Sequence, residues 1–164
     1  MRSLDSVLQS YSAARQCQQI TSNLLRKTRN HTSFHGTVFF GESLDDATNL
    51  IGTSTTDLDD LFIVLLIATF EQILFKHSNP PLMNDLERHD MSGVTAAIAH
   101  FENKVSPPLY EAITQLCEYR HWVAHGKRWS PQPPQPAGPK TVHQQLTDFL
   151  VQAKLAIIPS STDF

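Results

Sequence analysis

Five side chains of one short stretch could do chemistry together. "LCEYRHWVAHGKRW", Leu116 to Trp129, gathers Arg120, His121, His125, Lys127 and Arg128. Arginine offers a fixed fork of donors that matches a phosphate, and histidine can take or give a proton near neutral pH. An Arg and a His together can cleave RNA without metal. One group deprotonates the 2′-hydroxyl, a cation stabilises the charged transition state, and a 2′,3′-cyclic phosphate forms. DNA lacks that hydroxyl and would not be cut this way. His121 and His125, four positions apart, share a helix face and could hold zinc, but two ligands are half a site and no third stands out.

The elements that must position these residues read as helices almost throughout. Ser106-Pro107 is a start signal, a hydroxyl cap followed by proline at the first helical position, where no N–H is needed. Leu109, Ile113, Leu116, Cys117 and Tyr119 carry an apolar stripe onward, and Gly126 is a natural C-terminal cap. The charged stretch is therefore the end of a helix, where Lys127 and Arg128 suit the negative pole of the dipole. Arg120 and His125 lie before that cap. Five positions separate them by about 140° around a helix axis, so direct contact requires loosening near Gly126.

Upstream, Leu4, Val7, Leu8, Tyr11, Leu24 and Leu25 predict a helix from Ser3 to about Lys27. The pattern breaks from Thr28 to Thr55. "HTSFHGTVFFGES" suggests a short extended piece, and Ser43 with Asp46 suggests the cap of a short helix. A main helix is expected from Thr56, with Thr56 and Asp59 as a capping box and acids in its first turn, to about His77, before "SNPP". Shorter helices follow, from about Ser92 to Lys104 and from about Thr141 to Ile157. The expectation is an all-α bundle of about five helices in a single domain over residues 1–158. A Pro-rich loop occupies 130–139 and a tail 159–164.

Composition narrows the classes. The chain has 164 residues, 40% hydrophobic and 18% charged, with a net charge of −3. That is a globular composition, and nucleic-acid binding would need a local basic patch rather than bulk charge. A second basic cluster, Arg26, Lys27, Arg29, His31 and His35, is a solvated loop or an addition to such a surface. Cys17 and Cys117 have no metal-type spacing and read as small buried side chains in a reducing cell interior. Asn30-His31-Thr32 matches a glycosylation sequon by chance. The polar N-terminus is no signal peptide, and the apolar run Leu61 to Phe70 is too short to span a bilayer. A cytoplasmic protein without membrane contact is expected.

Arg120-His121-Trp122-Val123-Ala124-His125 resembles the Arg-x(4–6)-His motif of the HEPN superfamily. His121 fits the polar residue that often follows the Arg, and Ala124-His125-Gly126 fits the frequent "AHG" ending. The resemblance is tight over about a dozen residues and architectural elsewhere. It implies an all-α domain acting as a metal-independent endoribonuclease with no cofactor. Its site would form where two motifs face each other in a homodimer. Arg120 would contact the scissile phosphate, His125 would be general acid and base, and His121 would support the phosphate or its neighbour. A toxin–antitoxin or defence role would add a cognate antitoxin to RNA as partner.

The bare pattern recurs at Arg26 to His31 and at Arg29 to His35. Only the copy at Arg120 closes a strongly patterned, capped helix, and it is preferred for that reason. Glu71 pairs with Arg120 or marks the exposed stripe of its helix. Trp122 and Trp129 could stack on a base, though Trp122 suits a core or interface better. Two other functions fit the same residues. One is a non-catalytic HEPN-like module binding a nucleotide or protein partner. The other is a helical adaptor whose "PQPPQPAGP" docks to another domain.

Overall fold

The computed structural model describes residues 3–27, 34–77, 93–126 and 133–155. Five α-helices and no strand occur among them: α1 (Leu4–Lys27), α2 (Leu44–His77), α3 (Gly93–Ala99), α4 (Pro107–Ala124) and α5 (Pro139–Gln152). A 3₁₀ turn, Glu102–Lys104, joins α3 to α4. The all-α expectation therefore holds.

α2 is the spine. Its 34 residues span about 51 Å. It starts at Leu44, twelve residues before the capping box at Thr56, which is a correction. Ser43 is the cap: its hydroxyl accepts the Asp46 N–H at 3.1 Å and also contacts the Asp46 carboxylate. The Thr/Ser-rich tract that follows is helix, because its hydroxyls donate to carbonyls one turn back. Thr48, Thr53, Ser54 and Thr55 bond Leu44, Asn49, Leu50 and Ile51 at 2.7–3.1 Å. Thr56 simply continues the helix. Residues 34–42 form turns with the hydrogen bonds Phe34–Thr37 and Thr37–Phe40 rather than an extended piece.

The second half of α2 builds the core. Ile63, Leu66, Ile67, Phe70 and Leu74 are buried against Ile113 and Leu116 of α4 and Val142, Leu146 and Phe149 of α5. Phe70, Phe101 and Phe149 interlock edge-to-face, with centroids 5.3 Å and 6.0 Å apart. Truncating Phe149 would cost about 3–5 kcal/mol. Leu4 and Val7 close the core from α1.

The first half of α2 has a different neighbour. It runs antiparallel to α1, with Tyr11 Oη donating to Asp59 at 2.9 Å, Tyr11 against Phe62, and Gln18 near Thr55 at 3.3 Å. Beyond that point the two helices bury only Leu25 and Ala47 and leave Ile20, Leu24 and Leu50 exposed. They form an arm extending from the core.

The remaining boundaries shift modestly. α3 is shorter than expected, ending at Ala99, with Val94 and Ile98 buried as the pattern required. α5 ends at Gln152, before the expected Ile157. Lys154 then adopts φ 57°, and the Leu155 N–H reaches back to the Leu150 carbonyl at 2.8 Å. This is a Schellman-type stop made without glycine. Pro134, Pro136 and Ala137 line one small cavity together with Leu116 of α4 and Thr141 of α5, which places this part of the Pro-rich loop beside its own bundle. No helix among the described residues is long and apolar enough to cross a membrane.

Candidate functional site

The site is built on the last two turns of α4. The helix starts at Pro107 after Ser106, as expected, but not by a hydroxyl cap. The Ser106 side chain makes no capping bond, and its N–H donates to Gln152 Oε1 at 2.8 Å, anchoring the start of α4 to the end of α5. At the other end, helical geometry stops at Ala124 and His125 is the C-cap. Its N–H donates to the His121 carbonyl at 3.1 Å. The Gly126 N–H donates to Val123 at 2.9 Å with φ 70°, the left-handed geometry that glycine adopts without strain. The motif therefore ends where the helix ends.

Arg120 turns inward. It follows Ile113 and Leu116 on the core-facing side, and its guanidinium meets α2: Nη2 lies 3.6 Å from Glu71 Oε2. The contact proposed from sequence is made, and Glu71 does not mark an exposed stripe. The side chains retain 34% and 15% of their exposure, so the pair is partly screened from water. At 3.6 Å the contact is an ion pair longer than a hydrogen bond. Arg120 Nε and Glu71 Oε1 are buried with no hydrogen-bond partner among the described residues. Burial raises the Glu71 carboxyl above its ordinary value, and the Arg120 charge opposes that rise without cancelling it. Cys117, one turn before Arg120, is pushed up to about 12 by burial first and by the Glu71 charge second.

The histidines face elsewhere. The His121 and His125 rings stack with centroids 4.3 Å apart, tilted by 60°. His121 is half-buried and His125 exposed. The pairing follows from their four-residue spacing. Among the described residues no group of three His, Cys, Asp or Glu could hold a metal ion. Arg120 lies within the helix and His125 is its C-cap five positions on, a spacing of about 140° around an ideal helix axis.

Around them, Tyr119 is fully buried and its hydroxyl donates to Asp60, tying α4 to α2. Burial and the Asp60 contact raise the Tyr119 hydroxyl above its usual range. Trp122 is half-buried, packs against the core and lies 5.7 Å from the Tyr119 ring, the packing role favoured for it. Lys127, Arg128 and Trp129 lie outside the described residues, as do Arg29 and His31 of the second basic cluster. His35 contacts the Phe40 ring in the 34–41 turn.

Two members of this neighbourhood escaped the sequence reading. Cys117 is expected as a small buried side chain on the apolar stripe and is half-buried, whereas Cys17, expected to be buried as well, is exposed; the i, i+3 relation of Cys117 to Arg120 is the signal for its place beside the pair. Asp60 was read as a first-turn acid because the start of α2 was misplaced. No family model matches the chain, and no curated protein or solved structure matches it.

Proposed function

We propose that the protein is a HEPN-type, metal-independent endoribonuclease that works as a homodimer. The observation that carries the reading is the Arg120–His125 motif closing a capped helix in an all-α chain, with Arg120 steadied by Glu71 and His125 presented at the helix end. His125 removes the 2′-hydroxyl proton and later protonates the leaving oxygen. Arg120 stabilises the charge that develops on the phosphate. His121, stacked on His125, supports the phosphate or its neighbour, and Lys127 and Arg128 add positive charge beyond the cap. In a toxin–antitoxin or defence system, a cytoplasmic antitoxin would hold this activity in check.

The test is cleavage of RNA by purified protein in EDTA, with DNA as control. Expected are 2′,3′-cyclic phosphate ends, uncut DNA, and a loss of about 10²-fold or more on Arg120→Ala or His125→Ala. Undiminished cleavage by the double variant would defeat the proposal.

One observation favours a second reading. Arg120 is engaged with Glu71 of the neighbouring helix, an arrangement that also suits a scaffold arginine. On that reading the domain is a non-catalytic HEPN-like module that binds a nucleotide or protein partner. A nucleotide bound without turnover would support it.

A further inference from the structure

A groove of about 430 Å³ runs between α1 and the first half of α2, on the arm. Arg15, Gln19, Ser22, Asn23 and Arg26 line one wall, and Ile51 and Thr55 line the other. Gln18 fixes its floor: Oε1 accepts from Arg15 Nη1 at 3.1 Å and lies 3.3 Å from Thr55 Oγ1, bridging the helices. On α1 the positions 15, 19, 22 and 26 recur at three and four residues, so they form one continuous stripe.

The chemistry of this lining is specific. None of the described residues that line the groove is acidic, in a chain whose acids outnumber its Lys and Arg by 16 to 13. Asp57, two residues from Thr55, is exposed and does not line the groove, while Asp46, Asp59 and Asp60 contact Ser43, Tyr11 and Tyr119. Two guanidinium groups, three amides and two hydroxyls are what a phosphate–sugar backbone takes as partners. Arg15 and Arg26 stand about 17 Å apart along α1, a span that reaches separate phosphates of one strand. The donors follow one strip of α1, an arrangement that can track the phosphates of one strand.

We propose that this groove binds the backbone of single-stranded nucleic acid. It binds the phosphates and not the bases, because among the described residues that line it Ile51 is the one apolar side chain and none is an aromatic on which a base could stack. Thr55 and Glu71 are 16 residues apart on α2, so the groove lies about 24 Å along the helix from the Arg120 pair. It is a holding surface distinct from the candidate chemical centre. If the ribonuclease reading stands, the groove gives that site its RNA.

The test is fluorescence anisotropy with labelled oligouridylate and oligodeoxythymidylate across a salt series. Arg15→Gln/Arg26→Gln is compared with a charge-matched control, Lys76→Gln/Lys140→Gln, on exposed positions away from the groove. The groove variant is expected to bind both strands at least about tenfold more weakly than the control. Its salt slope should be shallower by about 1.4, from two lost phosphate contacts at about 0.7 each. Circular dichroism matching wild type excludes unfolding as the cause. Equal weakening in both variants, or no strand binding by wild type at low salt, overturns the proposal, as does protein capture that persists without strand binding. If wild type binds the strands but never cleaves RNA, the ribonuclease reading fails and the groove stands.

Discussion

At Glu71 two forces act on one carboxyl, and burial wins over the charge of Arg120. The folded chain therefore holds this proton more tightly than the unfolded chain does. The stability so gained is complete below the ordinary carboxylate range and is lost as pH rises through the raised value. Arg120→Ala removes the opposing cation and raises the carboxyl further. Chemical denaturation of the variant should lose more stability than wild type as pH rises above the ordinary carboxylate range. Parallel curves would show that the 3.6 Å contact does not act on the carboxyl. The thiol one turn away gives an independent reading of the same pocket. With Cys117 pushed up to about 12, almost no thiolate exists near pH 8, whereas Cys17 is exposed. Native-state iodoacetamide labelling followed by mass spectrometry should modify Cys117 at least about tenfold more slowly than Cys17. Comparable rates would mean that water reaches the pair.

Among the elements, α2 separates a firm half from a loose one. Residues 63–74 bury Ile63, Leu66, Ile67, Thr69, Phe70 and Leu74 in the core, whereas the first turns rest on the Ser43 cap, Ala47 and Leu25. Ser43→Ala should cost about 1 kcal/mol, and the loss should be local. Hydrogen exchange is expected to quicken at residues 44–50 while residues 63–74 stay at wild-type protection. A uniform change would mean that arm and core open together. The same element shows what its sequence could reveal. Both Ser43 with Asp46 and Thr56 with Asp59 have the spacing of a cap, and a hydroxyl that bonds a carbonyl one turn back leaves an identical trace. The arm buries too little to impose apolar periodicity, so nothing upstream of Thr56 revealed the continuing helix. α4 was legible because its proline start, its apolar stripe and its glycine stop agree with one another. The inward turn of Arg120 was half legible: Glu71 sits in the most apolar helix, but which face meets α4 is decided by packing. The Arg15–Arg26 groove was not legible, since its walls come from two helices whose register is tertiary.

For the whole molecule, α2 joins two regions with different chemistry. Its core half carries Glu71 to Arg120, and its arm half forms the groove with α1. Within one chain Arg120 is engaged by Glu71, and ideal helix geometry would set it about 140° around the axis from His125, a difficulty for aiming both at one phosphate. A two-fold assembly removes the difficulty if Arg120 of one copy meets His125 of the other, since an isologous interface makes each such contact twice. That arrangement has a consequence that a self-sufficient chain does not share. Arg120→Ala and His125→Ala should each be inactive alone. Mixed and refolded together, half of the dimers would be hybrids, and each hybrid would keep one site with Arg120 from one copy and His125 from the other. RNA cleavage should then return to roughly a quarter of the wild-type level. It should fall on dilution as dimers dissociate. A mixture as inactive as its parts would mean that each chain uses its own pair. The α4 helix would then have to unwind before Gly126 to bring Arg120 and His125 together.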